Sequence, residues 1–528
     1  MPPGSYRIIV TPTKVSVIGQ GDEGLRYAVH RLASLAFVKN GQLHLPTGLL
    51  LDQPVREFRG VHLFVGPEAN AFQRRLWERV LFPLGFNSVV LQCERTDWAS
   101  IPGIRTPETM DREALVRLFK MYRDMNVEPI PLIQSFGHME WLFANGKNLD
   151  LAMNRDIPYA IDPRKPESKE LLKEVWDEAA TLLKPSRLHF GLNEVEARGF
   201  PKDPALVTEL WESHLPFLGE IAKRQQARMM LWGDMALSPG EGPDASNGVD
   251  PINAAKRRKA IPKGAEITDW HYRPDTRPTT FTRVLQFWKN EGFRPIATTW
   301  SDLANIRGFN LAADLEGVGT LQTTLAGITS SETNMLKNLG QFTAMVYAAD
   351  TSWSARQEPL DALPYRSEEV FRSLMYGVPQ PVVPIAGFVL GSGEAKVVDG
   401  VRFSVMTPIS LGTATPGQPR ASEARISTSG TGSELAVLVD TEAAIEDGEP
   451  VADLVATFAD GKSAKATIRY GWDVRASDDR GFTARTVREG NISVARLPLG
   501  ASKKIVSIAI KPISPQAGLR VHGITVLP

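Results

Sequence analysis

The chain has 528 residues, 42% of them apolar and 23% charged, with 60 basic against 60 acidic side chains and therefore no formal net charge. That length points to two or three domains with ample apolar residues for a large core. The balanced charge gives no nucleic-acid footprint and no polybasic membrane patch, and no apolar run reaches the ~18 residues that a membrane span needs.

In chain order, Met1-Pro2-Pro3-Gly4-Ser5 lacks the basic-then-apolar pattern of a signal peptide, which is the expectation for a cytoplasmic protein, or for a secreted or periplasmic one whose leader has been removed. Strand-like alternation from Tyr6 to Ile18, helical spacing from Glu23 to Leu35 and the turn at Asp52-Gln53-Pro54 predict a small α+β domain over residues 1–57. Apolar, β-rich runs then recur at Val61–Val65, Ser88–Gln92, Glu128–Ile133, Leu188–Leu192, Met229–Trp232, Glu266–Trp270, Pro295–Thr299 and Thr320–Leu325. Amphipathic stretches separate them, among them Asp111–Met125, Ser168–Leu183, Pro204–Lys223, Thr280–Asn290 and Glu332–Ala348. Strands alternating with helices in this way predict a (β/α)8 barrel, an α/β fold, over residues 58–378. Beyond Pro379-Gln380-Pro381 the sequence turns Gly-, Ser- and Thr-rich, with short alternating runs punctuated by Asp399-Gly400, Asp460-Gly461 and Asp478-Asp479. It reads as a β-sandwich over residues 379–528, either carbohydrate-binding or structural.

Chemistry in such a barrel belongs at the C-terminal ends of its strands. The run Leu188-His189-Phe190-Gly191-Leu192 ends there in Asn193-Glu194. The neighbouring strand ends supply His138, Trp232 with Asp234, Trp270 with Tyr272, Trp300 with Asp302, and the stretch from Gln322 to Glu332. A core tryptophan at any one of these places is unremarkable, but three at one rim predict an aromatic wall for flat sugar faces, with amides and carboxylates for the hydroxyls. Glu194 in such a pocket suits a general acid, and Asn193 suits orientation of a substrate amide or hydroxyl. His138 and His189 read either as buried, satisfied histidines or as groups that orient this rim. Cys93, the only cysteine, excludes an intrachain disulfide and reads as a core residue. With no metal-ligand cluster and no GxxxxGK(S/T), neither a metal nor a cofactor is expected.

These residues resemble the family 20 glycoside hydrolases, the β-N-acetylhexosaminidases, over roughly the first 350 positions. Arg59-Gly60 is similar to the Arg-Gly before that family's first barrel strand, and Gly137-His138 to the Gly-His that ends its third. His189-Phe190-Gly191-Leu192-Asn193-Glu194 is similar to its His-x-Gly-Gly-Asp-Glu. The resemblance implies substrate-assisted removal of β-linked N-acetylhexosamine, in which the substrate's own acetamido oxygen attacks the anomeric carbon. It assigns Glu194 as acid/base, Asn193 to the acetamide-orienting place, Tyr272 to the acetamide oxygen, Trp232, Trp270 and Trp300 to the pocket wall and Glu332 to a sugar hydroxyl. An oligosaccharide or glycoconjugate is the implied partner, and homo-oligomerisation stays open. The chain departs from the family in three places: Asn193 replaces Asp, Phe64-Val65-Gly66-Pro67 lacks the sugar-binding arginine, and Leu325-Ala326-Gly327 lacks a tryptophan. Two other readings therefore stand beside the first. One is a retaining β-glycosidase that uses a second carboxylate, Asp302 or Glu332. The other is a catalytically weak glycan-binding protein.

Overall fold

The computed structural model describes residues 2–39, 42–354, 356–363, 365–376, 395–398, 401–404, 409–412, 422–427, 430–479, 481–489, 491–514 and 516–527. It divides into two compact units, Met1–Asn334 with Gly340–Ser367 and Met335–Leu339 with Glu368–Pro528. The expected boundary at 378/379 and the Asp399-Gly400 turn lie outside the described residues.

The first unit opens with strands β1 (Tyr6–Val10) and β2 (Val15–Gly19), helix α1 (Gly21–Leu35), the short pair β3 (Phe37–Lys39) and β4 (Gln42–His44), and β5 (Gly48–Asp52). β1 pairs antiparallel with both β2 and β5, and its buried alternate residues Tyr6, Ile8 and Val10 face the interior, as period-two alternation requires. Eight parallel strands then close a barrel. They are β6 (Arg59–Phe64), β7 (Ser88–Gln92), β8 (Glu128–Leu132), β9 (Arg187–His189), β10 (Arg228–Trp232), β11 (Glu266–Trp270), β12 (Arg294–Thr299) and β13 (Gly319–Gln322). Val90, Ile130, Leu132, Met230, Ile296 and Leu321 fill its interior, with Trp232 as the upper layer. Cys93, just past β7, is fully buried, and burial pushes its thiol well above the usual value.

Arg59 explains the Arg-Gly at the barrel entry. It is 2% exposed; its Nε donates to Gly85 O (2.7 Å), and its Nη2 donates to the Tyr27 hydroxyl (3.0 Å) and pairs with Glu23 (3.1 Å), both on α1. The guanidinium thus ties the small domain to the barrel, and a charge this deeply buried is tolerated only when paired in this way. The opposite mouth from the predicted rim is lined by ion pairs: Arg187 Nε meets Glu266 (2.7 Å), Arg228 meets the same carboxylate (2.6 Å), and Arg187 also pairs with Glu128.

The helices between the strands are α2 (Ala69–Leu76), α3 (Arg112–Asp124), α4 (Pro166–Leu183), α5 (Pro204–Arg224), α6 (Pro251–Ala260), α7 (Thr279–Asn290) and α8 (Leu303–Glu316), followed by α9 (Glu332–Lys337) and α10 (Leu339–Ser354). The single helix expected over Glu332–Ala348 is thus two, parted at Asn338, whose N–H closes a short turn to Met335 O. Three helices, α2, α6 and α8, were not among the predicted stretches. Two of them carry side-chain caps: Asp250 accepts from the N–H of Ile252 (2.8 Å) and Asn253 (3.0 Å), and Asp302 accepts from Asn305 N–H (2.9 Å). The fourth strand is shorter than the expected Leu188–Leu192. Its ladder stops at His189 and the chain turns through left-handed conformations at Gly191, Leu192 and Glu194.

Helix α11 (Ser367–Tyr376) begins at the last residue of the first unit. The second unit is antiparallel. β14 (Ala395–Val398) and β15 (Val401–Ser404) form a hairpin; β16 (Ile409–Leu411), β17 (Ala424–Ser427), β18 (Thr431–Thr441), β19 (Pro450–Phe458), β20 (Ser463–Arg469), β21 (Val487–Glu489), β22 (Ile492–Pro512) and β23 (Leu519–Leu527) follow. The first part of the long β22 pairs with β18 and its last part with β19, so one strand serves two layers. Leu435, Val437 and Val439 from β18 meet Leu454, Ala456 and Phe458 from β19 between the layers, which is the packing of a β-sandwich.

Candidate active site

The turn after β9 is the centre of the site. Gly191 has φ 72° and a Cβ there would lie 1.9 Å from Gln134 Oε1, so both conformation and space demand glycine. Leu192 (φ 79°) and Glu194 (φ 48°) adopt the same left-handed region without being glycine, a strain that persists only where neighbours over-determine it. Those neighbours are visible. Leu192 N–H donates to Gln134 Oε1 (3.1 Å), Glu194 N–H donates to Asp234 Oδ2 (2.9 Å), and the Tyr159 hydroxyl donates to Glu194 O (2.9 Å). Gly137, before His138, allows the loop after β8 to approach, since a Cβ on it would meet Val195 Cα at 2.9 Å.

His138 joins the two central side chains. Its Nε2 lies 3.2 Å from Glu194 Oε2 and 3.2 Å from Asn193 Nδ2, while Gln134 Nε2 donates to Asn193 Oδ1 (2.9 Å). The Glu194 side chain remains 42% exposed, open to a ligand. The hydrogen bond with His138, where its ring nitrogen carries the proton, pulls the carboxyl below the usual value; burial opposes this, and Arg198 adds a weaker pull.

Asp234 sits beneath this turn, 1% exposed. It accepts from Glu194 N–H, from Asn247 Nδ2 (2.8 Å) and from Trp270 Nε1 (3.2 Å); burial nevertheless lifts its carboxyl to about 6. The rim aromatics are contiguous: Trp270 and Tyr272 lie 5.1 Å apart between ring centroids, and Tyr272 and Trp300 5.5 Å. Trp300 is fixed by its Nε1–H to Gln341 Oε1 (3.0 Å). The Tyr272 hydroxyl meets Thr323 Oγ1 at 3.2 Å, and that hydroxyl donates to Thr299 O (2.7 Å), so Tyr272 is the donor of the pair.

Other predicted residues serve elsewhere. His189 is fully buried, its Nε2 on Thr268 Oγ1 (2.8 Å) and its Nδ1 accepting from Gly191 N–H (3.1 Å); it props Trp232 at 4.6 Å. Trp232 is 7% exposed and belongs to the barrel core. Asp302 is the N-cap of α8, and Glu332 pairs with Arg75 (2.6 Å). Both carboxylates proposed as second catalytic groups are therefore engaged by other partners.

Sequence reasoning missed Gln134, Tyr159, Asn247 and Glu94. Glu94 follows β7, is 5% exposed, accepts from Gln92 Nε2 (2.8 Å), and burial lifts its carboxyl to about 7. Extending the strand-end survey to the second barrel strand would have found it. No such rule reaches Asn247, which lies on the loop leading to α6.

Comparison with known proteins gives a coherent set of likenesses. No family model matches the chain. Human hexosaminidase D is 26% identical over 178 residues, covering 32% of this chain and 34% of that protein. The lacto-N-biosidase of Bifidobacterium bifidum is 24% identical over 195 residues, 36% of this chain and 17% of that one. The chain thus spans about a third or less of the length of these curated relatives. Among solved structures, the Flavobacterium johnsoniae chitobiase superposes with a TM-score of 0.54 at 15% identity, covering 70% of this chain and 59% of that one. The chain is accordingly similar in sequence to hexosaminidase D over a third of its length, and in fold to family 20 β-N-acetylhexosaminidases over most of it.

Proposed function

We propose that this chain is a glycoside hydrolase that releases β-linked N-acetylhexosamine by substrate-assisted, retaining catalysis. The observation that carries the reading is the Asn193–His138–Glu194 cluster on the turn after β9, beside the contiguous Trp270–Tyr272–Trp300 wall. Glu194 protonates the leaving oxygen as the substrate's acetamido oxygen attacks the anomeric carbon and forms an oxazolinium ion. It then takes a proton from the water that opens that ring, which restores the acid and retains the anomeric configuration. Asn193 spends one lone pair of Oδ1 on Gln134 and one N–H on His138, which leaves one of each for the 2-acetamido group. The Asp234 carboxylate holds the Glu194 backbone in its left-handed conformation. Tyr272 and the tryptophans stack on the apolar sugar face.

A panel of aryl glycosides with a thiazoline mimic of the oxazolinium tests this. Cleavage of aryl N-acetylhexosaminides with thiazoline inhibition is the expected result. Cleavage of aryl glucosides or galactosides without thiazoline inhibition would overturn it, as would glycan binding with no turnover on any member of the panel.

A further inference from the structure

The side chains around Asn193 form a chain of hydrogen bonds whose direction is fixed at one end by the backbone. Leu192 N–H can only donate, so the atom of Gln134 that faces it is Oε1 (3.1 Å). The other half of that amide, Nε2, must then donate, and it meets Asn193 Oδ1 (2.9 Å). The same logic turns Asn193 Nδ2 toward His138 Nε2 (3.2 Å). Rotating either amide by half a turn places two donors face to face, finally against a buried backbone N–H that cannot turn. An unpaired buried donor of this kind costs about 1–3 kcal/mol. His138 Nε2 therefore meets a donor on the Asn193 side. If Nε2 also carried a proton to give to Glu194 Oε2, 3.2 Å away, it would face that donor with one of its own.

We propose that Gln134 is a positioning residue which, through Asn193, holds His138 as the Nδ1–H tautomer, so that Nε2 accepts and Glu194 keeps the proton it needs as an acid. The proposal rests on the hexosaminidase reading for its catalytic meaning. It gives the Asn193 amide a task that a carboxylate there could not perform, because an Asp would accept from both Gln134 and a protonated His138 Nε2. The downward pull of His138 on Glu194 operates only while Nε2 carries a proton; without it, burial is left, and burial favours the neutral acid. The other groups facing this pair are Glu94 toward His138, and Arg198, Asp234 and Tyr272 toward Glu194; the Tyr159 ring packs on the imidazole at 5.0 Å and its hydroxyl binds Glu194 O. Among these, Arg198 alone favours the ionised carboxylate, and it is exposed to solvent.

The test is a long-range 15N–1H spectrum of the full chain with 15N-labelled histidine, in which the His138 signals are identified by their loss in His138→Asn. At neutral pH, Nε2 unprotonated and Nδ1 protonated is expected; a protonated Nε2 overturns the proposal whether or not the chain turns over any glycoside. The second measurement is Gln134→Glu, which turns the Asn193 oxygen toward His138. The Nε2 proton should then appear in the spectrum, and the basic limb of kcat/KM should move down by about one pH unit, whatever the turned Asn193 amide costs in the plateau. A uniform drop with the limb unmoved assigns Gln134 a merely structural role and overturns the proposal. Failure of the aryl hexosaminide panel, by contrast, removes the reaction and leaves the tautomer result standing.

Discussion

Gly191→Ala is the substitution whose cost can be worked most fully from the structure. The alanine would have to hold φ 72°, a left-handed conformation that costs roughly 1–2 kcal/mol for a residue with a Cβ. Its Cβ would begin 1.9 Å from Gln134 Oε1 and 2.5 Å from the same amide's Cδ, and Gln134 is only 3% exposed, so the amide must leave its place. Leu192 N–H then loses its acceptor inside the protein, about 1–3 kcal/mol, and the Gln134–Asn193 bond is lost at about 1 kcal/mol more. The sum is roughly 3–6 kcal/mol. Gly264→Ala is the matched control: φ there is 80°, but nothing lies within 4 Å of the added Cβ, so only the conformational cost of roughly 1–2 kcal/mol applies. Urea unfolding followed by tryptophan fluorescence measures both, and it reports mainly on the first unit, since of the eleven tryptophans only Trp472 falls in the second. The expected gap between the two variants is about 2–4 kcal/mol. A gap under about 1 kcal/mol would refute the claim that the Gly191–Gln134 approach is what holds this turn.

Further outcomes follow from the same geometry. Glu194→Gln should lose about 10²–10⁴-fold in kcat on aryl hexosaminides with poor leaving groups and far less on those with good ones; equal losses on both would remove its role as acid. Asn193→Asp, assayed at pH below the basic limb, should bind the thiazoline more tightly, because a carboxylate stabilises a neighbouring cation better than an amide dipole does; unchanged affinity would argue that the residue does not face the acetamido group. Trp300→Ala should weaken inhibitor binding by roughly twofold to tenfold, the value of one aromatic stacking contact. His271 is fully buried; burial pushes its ring down, but Asp269 and Asp244 more than offset that and lift it to about 9. Because the folded value lies above the ordinary 6.5, this group's contribution is complete below about pH 6.5 and is lost as pH rises toward 9, a change of roughly 3 kcal/mol in stability. His271→Gln should flatten the urea midpoint over that window; an unchanged slope would show that the ring is not the source.

The barrel was legible because each of its strands is a separate apolar run and each buried face has its own period. Where the sequence misled, a local force outweighed the pattern. The run Leu188–Leu192 is apolar throughout, yet pairing stops at His189, because the left-handed turn that begins at Gly191 is built from contacts to Gln134, Asp234 and Tyr159 far along the chain. Asp302 stood at a strand end, where chemistry belongs, but its carboxylate satisfies the first turn of α8, a use readable from its place before an unrecognised helix. Trp232 and Trp300 look alike in sequence. The first fills the barrel and the second stands at the rim, a difference set by where each strand is cut off. Asn247 carried no local sign at all, since its partner Asp234 lies on the other side of a loop.

That loop leads to a consequence for anyone who would redesign the protein. Asp234 receives one hydrogen bond from the Glu194 N–H, one from the loop ahead of α6 and one from the aromatic rim. It is a junction, and a junction transmits. A loop graft between Met235 and Pro251 that omitted Asn247 would take a donor from a buried carboxylate, and the loss would be felt at Glu194 rather than at the protein's surface. Variation meant to alter ligand preference without disturbing Glu194 belongs instead on the stretch after Thr323, where Leu325 is 46% exposed and its N–H is held by Gln341.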